Sequence, residues 1–114
     1  MAERHLQTPI MHRAVHHAGL VFIGGTACDD ETLDMAGQAR EVFAKLDRYL
    51  AEAGSDKTRM LSVTLYLTDL AQKPAMDAIW KEWLPASALP ARVCIAVSDL
   101  GGDARLEASV IAHR

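Results

Sequence analysis

Arg92 and Glu107 are the two side chains best suited to chemistry on a small molecule. A guanidinium offers a planar fork of donors that can hold a carboxylate through two parallel hydrogen bonds. A carboxylate close to it can pair with it as an ion. Arg92 stands in the run Pro90-Ala91-Arg92-Val93-Cys94-Ile95-Ala96-Val97-Ser98. The run alternates as a half-buried strand does, with Val93, Ile95 and Val97 on one face and Arg92, Cys94, Ala96 and Ser98 on the other. Glu107 stands in Leu106 to Ala112, whose apolar face is Leu106, Ala108, Val110 and Ala112. Asp99-Leu100-Gly101-Gly102-Asp103 between them has turn chemistry, so the two runs are expected to pair as a hairpin.

Matching the apolar faces sets Val93 opposite Ala108 and Cys94 opposite Glu107, because a one-residue slip would turn a strand over. Arg92 and Glu107 then project from one face, away from the core. By residue type alone the default is a cross-strand ion pair. Whether that face is solvated or covered decides between a surface pair and a site.

The elements that must position these residues are legible in the same way. Ala14 to His17 and Leu20-Val21-Phe22-Ile23 are expected strands joined by a tight Ala18-Gly19 turn. Gly24-Gly25 ends the second one. Successive glycines let a backbone approach a ligand, but they also serve where a strand bends, and the bend is the simpler expectation. From Asp34 to Ala53 the period becomes helical: Met35, Ala39, Val42, Phe43, Leu46, Tyr49, Leu50 and Ala53 make one stripe. Asp34 suits the N-cap, Gly54 suits C′, and Glu41 and Lys45 are spaced as an i,i+4 pair.

Met60 to Thr68 returns to period two, with Leu61, Val63, Leu65 and Leu67 opposite Ser62, Thr64, Tyr66 and Thr68. Lys73-Pro74 opens a second helix bearing Met76, Ile79, Trp80 and Trp83, expected as core or interface anchors. The order is β-β-α-β-α-β-β, an α+β domain over residues 1–114 with both helices on one face of the sheet. The other face would carry Ser62, Thr64, Tyr66, Arg92, Cys94 and Glu107, and a partner subunit could cover it.

Composition sets the bounds. The chain has 114 residues, 50% of them hydrophobic, enough for one core. A net charge of -3 with scattered Lys and Arg gives no basic stripe, so no nucleic-acid partner is expected. No apolar run approaches a membrane span, and the N-terminus lacks an apolar signal segment. Cys28 and Cys94 lie far apart and form no C-x-x-C pair, which fits free thiols in a reducing cytoplasm. His16 and His17 are adjacent and on a strand point to opposite faces. His5, His12 and His113 show no ligand spacing on one element, so no metal is assigned.

Taken together, several pieces resemble the RidA (YjgF-type, reactive intermediate deaminase) family along nearly the whole chain. They are Leu20-Val21-Phe22-Ile23-Gly24-Gly25, Gln38, Leu50-Ala51-Glu52-Ala53-Gly54, Val63-Thr64-Leu65-Tyr66-Leu67-Thr68-Asp69, Met76-Asp77-Ala78-Ile79-Trp80, Pro90-Ala91-Arg92 and Leu106-Glu107. Their order and spacing carry the resemblance. It implies a chorismate-mutase-like fold, a homotrimer, and ligand clefts between subunits. Arg92 matches the arginine that binds the substrate carboxylate, Glu107 the glutamate that helps place the attacking water, and Cys94 a cleft cysteine acting through its backbone.

The implied reaction is hydrolysis of 2-imino or 2-enamino acids to 2-keto acids and ammonia, with no metal or organic cofactor. Gly24-Gly25-Thr26 stands where active members carry Ser-Gly-Gln, Met11 falls near their cleft tyrosine, and Asp77 replaces a helix asparagine. These departures leave a second expectation, a metabolite-binding trimer that holds small carboxylates without turnover. The ribonuclease activity attributed to some relatives finds little support in the acidic composition.

Overall fold

In the computed structural model, which describes residues 1–114, the longest apolar stripe forms helix α1, Met35–Glu52. The Asp34 carboxylate accepts a hydrogen bond from the Gly37 N–H at 2.9 Å and caps the helix start. At the other end Gly54 takes a φ of 80°, and the Gly54 and Ser55 N–H groups donate to the Ala51 and Leu50 carbonyls. This is the left-handed ending that glycine adopts without a Cβ clash. The expected Glu41–Lys45 pair does not form. Glu41 accepts from the Asp29 and Asp30 N–H groups, while Lys45 donates to the Ala27 carbonyl and to Asp29. Loop groups that would otherwise lack partners take both side chains.

Helix α2, Lys73–Trp83, begins with Pro74 in its first turn. It packs on α1 through aromatic rings: Trp83 lies flat on Phe43 with centroids 4.6 Å apart, and Trp80 meets Phe43 edge-on at 5.7 Å. Met76, Ile79 and Trp80 are buried.

The strands are β1 (Glu3–Gln7), β2 (His12–His17), β3 (Leu20–Ala27), β4 (Met60–Leu67), β5 (Ala91–Ala96) and β6 (Leu106–His113). They form one sheet in the order β1-β2-β3-β6-β4-β5, with both helices packed on the same face. This is the expected α+β architecture with one strand more. β1 escaped notice because Leu6 is its only apolar residue, and an edge strand needs backbone pairing more than an apolar face. Ala18 and Gly19, both with positive φ, make the tight turn between β2 and β3.

The expected hairpin between Arg92 and Glu107 is absent. β5 pairs in parallel with β4 alone, and β6 inserts between β3 and β4, antiparallel to both. Ala108 therefore lies opposite Leu65 and Thr26 rather than Val93. Alternation reveals that a segment is a strand and which residues share a face, but it carries no information on the neighbouring strand. The crossover through α2 makes β4 and β5 parallel neighbours.

The face assignment of β5 reverses with it. Val63 pairs with Arg92 and Leu65 with Cys94, and Val63 and Leu65 are fully buried beneath the helices. Arg92 and Cys94 thus face the helix layer, while Val93 and Ile95 lie on the uncovered side, 53% and 41% exposed. Leu61 also departs from its expected place. A register irregularity between Met60 and Ser62 buries Met60 and leaves Leu61 exposed.

Candidate active site

Helix α2 and the edge strand β5 hold Arg92. Its Nη1 donates to Asp77 Oδ1 at 2.7 Å, and its guanidinium carbon lies 5.1 Å from the centre of the Trp80 ring. Lys73, one turn before Asp77, donates to the other carboxylate oxygen at 3.0 Å. The Arg92 and Asp77 side chains are 23% and 24% exposed, so the cluster is half-buried rather than a loose surface pair. Burial by itself would raise the Asp77 carboxyl, but hydrogen bonds from Arg92 and Lys73 outweigh it and hold the group below its ordinary range. The cluster carries two cations against one anion, and one of the arginine's nitrogens is already engaged.

A carboxyl whose folded-state pKa is depressed stabilises the fold above its unfolded value. That stability is lost as pH falls through the folded value. Asp77→Asn is therefore expected to make the loss of stability on acidification shallower below about pH 4. Urea midpoints of both proteins across the acid range would measure it; identical slopes would remove Asp77 from the acid response.

Cys94 neighbours the cluster on the same face of β5, half-buried against the core. Burial pushes its thiol up and outweighs the lowering effect of Arg92, so the sulfur stays protonated at neutral pH and is no nucleophile. The Cys28 thiol is likewise raised, by burial first and then by Glu41 and Glu31.

Glu107 lies elsewhere. It pairs with Tyr66 on β4 and with Ala27 on β3, on the face the helices leave open. The irregularity between Ile23 and Thr26 carries Gly24 and Gly25 past it. A Cβ at Gly25 would sit 3.1 Å from the Glu107 carboxyl carbon, so this glycine makes the space the carboxylate occupies. A Cβ at Gly24 would meet the Met11 sulfur at 3.5 Å, which places Met11 beside the glycine pair. Gln38, fully buried on α1, steadies the approach to β6. Its amide donates to the Leu33 and Asp103 carbonyls at 3.1 and 3.2 Å and accepts from the Arg105 N–H at 2.7 Å.

Of the residues singled out in the sequence, the chain brings Arg92, Cys94 and Asp77 together on the helix side. It brings Gly24, Gly25 and Glu107 together on the open side. Arg92 and Glu107, expected on one face, are on opposite faces with β4 between their strands. Lys73 and Trp80 belong to the arginine cluster without having been singled out for it. Their spacing with Asp77, one helical turn on either side, was the available signal.

Comparison with known proteins agrees with this architecture. A family model described as Endoribonuclease L-PSP matches residues 6–114. A crystal structure of an uncharacterized protein from Pseudomonas aeruginosa superposes with a TM-score of 0.95 at 29% identity, covering 100% of this chain and 99% of that one. A member of the YjgF protein family from Neisseria meningitidis gives 0.94 at 32% identity, covering 100% and 95%. The chain belongs to the RidA/YjgF family. Among relatives, a RutC family protein of Haemophilus ducreyi is 34% identical over 77 residues, 68% of this chain and 66% of that protein. A protein named 3-aminoacrylate deaminase RutC, from Acinetobacter baylyi, is 29% identical over 100 residues, 82% of this chain and 79% of that protein.

Proposed function

We propose that this chain is an imine/enamine deaminase, hydrolysing 2-imino or 2-enamino acids to 2-keto acids and ammonia in a cleft between the copies of a cytoplasmic homotrimer. The observation that carries the proposal is the division of the site. Arg92 sits at the sheet edge under α2, and Glu107 sits on the uncovered face beside Gly25. Two such halves cannot meet within one chain, whereas a second copy packed on the open face can bring them together. That face is apolar enough to be covered: Phe22 and Ile111 are cross-strand neighbours there, and Val93 and Ile95 extend the patch. The relative named 3-aminoacrylate deaminase supports enamine deamination as the reaction class; its named substrate carries the amino group on carbon 3, one position from that of a 2-enamino acid.

In this reading the Arg92 fork holds the substrate carboxylate through the nitrogens that Asp77 leaves free. Glu107 orients a water molecule toward the imine carbon and takes its proton as the C–O bond forms. Returned to the nitrogen, that proton gives the carbinolamine; the hydroxyl proton then passes by way of the carboxylate to the amino group as the C–N bond breaks and the carbonyl forms, releasing ammonia and the keto acid. Gly24 and Gly25 let the substrate approach the backbone next to Glu107, and Cys94 contributes through its main chain.

The second reading, a carboxylate-binding trimer without turnover, is favoured by two specific features. Arg92 Nη1 already donates to Asp77, and this chain carries Met11 beside Gly24 where the family resemblance implies a tyrosine. One assay separates the two. An amino-acid oxidase generates imines in the presence of the protein, and keto-acid release is followed for several amino acids. Acceleration over the uncatalysed rate is the expected result. No acceleration, together with a melting temperature raised by small carboxylates, would leave the binding reading; neither effect would remove both. The acidic chain gives RNA cleavage little support. No helix is long and apolar enough to cross a membrane.

A further inference from the structure

We propose that Glu3, His5 and His16 form a binding site for a zinc-class divalent cation at the edge of the sheet farthest from Arg92. The site is made by strand register. β1 and β2 are antiparallel with Glu3 opposite His16 and His5 opposite Ala14, so all three side chains share one face. That is the face on which Ala14 is fully buried. One ligand atom from each residue falls within 4.8 Å of the others.

Three further observations distinguish this group from an ordinary surface ion pair. His16 is buried, its side chain 8% exposed, with Nε2 3.1 Å from a Glu3 carboxylate oxygen. The His5 ring stacks on the His16 ring, centroids 5.0 Å apart and 18° from parallel. His5 Nε2 is itself buried and has no hydrogen-bond partner. A buried ring nitrogen without a partner forfeits the hydrogen bond it would make to water, and a bound cation would supply the missing interaction.

Two imidazoles and one carboxylate make the donor set of a borderline cation such as zinc. Magnesium and calcium favour oxygen ligands alone. With bonds of about 2.0–2.1 Å, ligand atoms around a tetrahedral ion lie about 3.3 Å apart, close to the His16–Glu3 separation. Drawing in the widest separation requires a movement of at most about 1.5 Å, within reach of a rotation of the half-exposed His5 or the exposed Glu3. Three protein ligands leave one position for water. The ion would clip the edge strand β1 to β2, and the site shares no residue with the Arg92 and Glu107 halves.

The test is titration of the metal-free full chain with zinc chloride, by calorimetry and thermal melting, with cobalt(II) as a spectroscopic substitute. One zinc per chain with a Kd of about 1 μM or tighter is expected. A melting temperature at least about 4 °C higher is expected at a hundredfold excess over Kd. Cobalt should give the intense visible bands of a four-coordinate site. His5→Gln and Glu3→Gln, at positions not fully buried, should each weaken binding at least about 10-fold, while His17→Gln, on the opposite face, should not. His16→Gln should do the same, but its burial makes it the weaker variant for this purpose. Absence of stoichiometric zinc uptake, or equal uptake by His5→Gln and the parent chain, would overturn the proposal.

Discussion

Arg92→Ala is expected to lower kcat/KM for imino-acid hydrolysis by at least about 100-fold, about 2.7 kcal/mol of transition-state stabilisation. Hydrogen bonds to charged groups contribute roughly 1.5–3 kcal/mol each, and the fork supplies more than one to a carboxylate. Arg92→Lys, which keeps the charge but not the fork, should fall between the variant and the parent. The substitution also removes a partner from Asp77, leaving Lys73 at 3.0 Å. Melting curves therefore accompany the kinetics, so that a loss of fold is not taken for a loss of binding. Activity within about threefold of the parent, in a folded Arg92→Ala protein, would remove the arginine from the site.

Glu107→Gln is the second large effect, at least about 100-fold in kcat with a smaller change in KM, because the amide cannot take the water's proton. Its value lies in combination with the first variant. Arg92 and Glu107 lie on opposite faces, so each site would draw one from each of two copies. Co-assembled Arg92→Ala and Glu107→Gln chains should then regain about a quarter of parental activity, the fraction of clefts that receive both intact residues in a random mixture. No recovery in oligomers shown to contain both chains would mean that the site is not shared between copies. It would refute the arrangement while leaving the role of each residue to its own single variant.

Much of the fold was legible because it depends on local pattern. The stripe from Met35 to Leu50 needs only a 3.6-residue period, and its ends follow from Asp34 and Gly54. Strands β3, β4 and β6 announce themselves by alternation of buried residues. β1 was invisible because its polar residues carry no such period, and the Glu3, His5 and His16 group was invisible with it. Those three meet only across two paired strands, a proximity that spacing along one element cannot reveal.

The candidate site divides along the same line. Residue type alone made Arg92 and Glu107 an expected ion pair; the family resemblance marked them as the groups that hold a carboxylate and place a water, and their strands were recognised from the sequence. The faces they occupy depend on β6 lying between β3 and β4, and on β5 lying beyond β4 in parallel. Alternation makes the more apolar face of β5 the expected core face, but at this edge Val93 and Ile95 are left uncovered while Arg92 is drawn under α2 to Asp77 and Trp80. Residue pattern was enough to mark every element of the sheet and both helices except β1. That the Arg92 and Glu107 halves point away from each other follows from strand order, which is set by contacts between residues far apart in the chain, whereas a period of two is the same whichever neighbour a strand acquires.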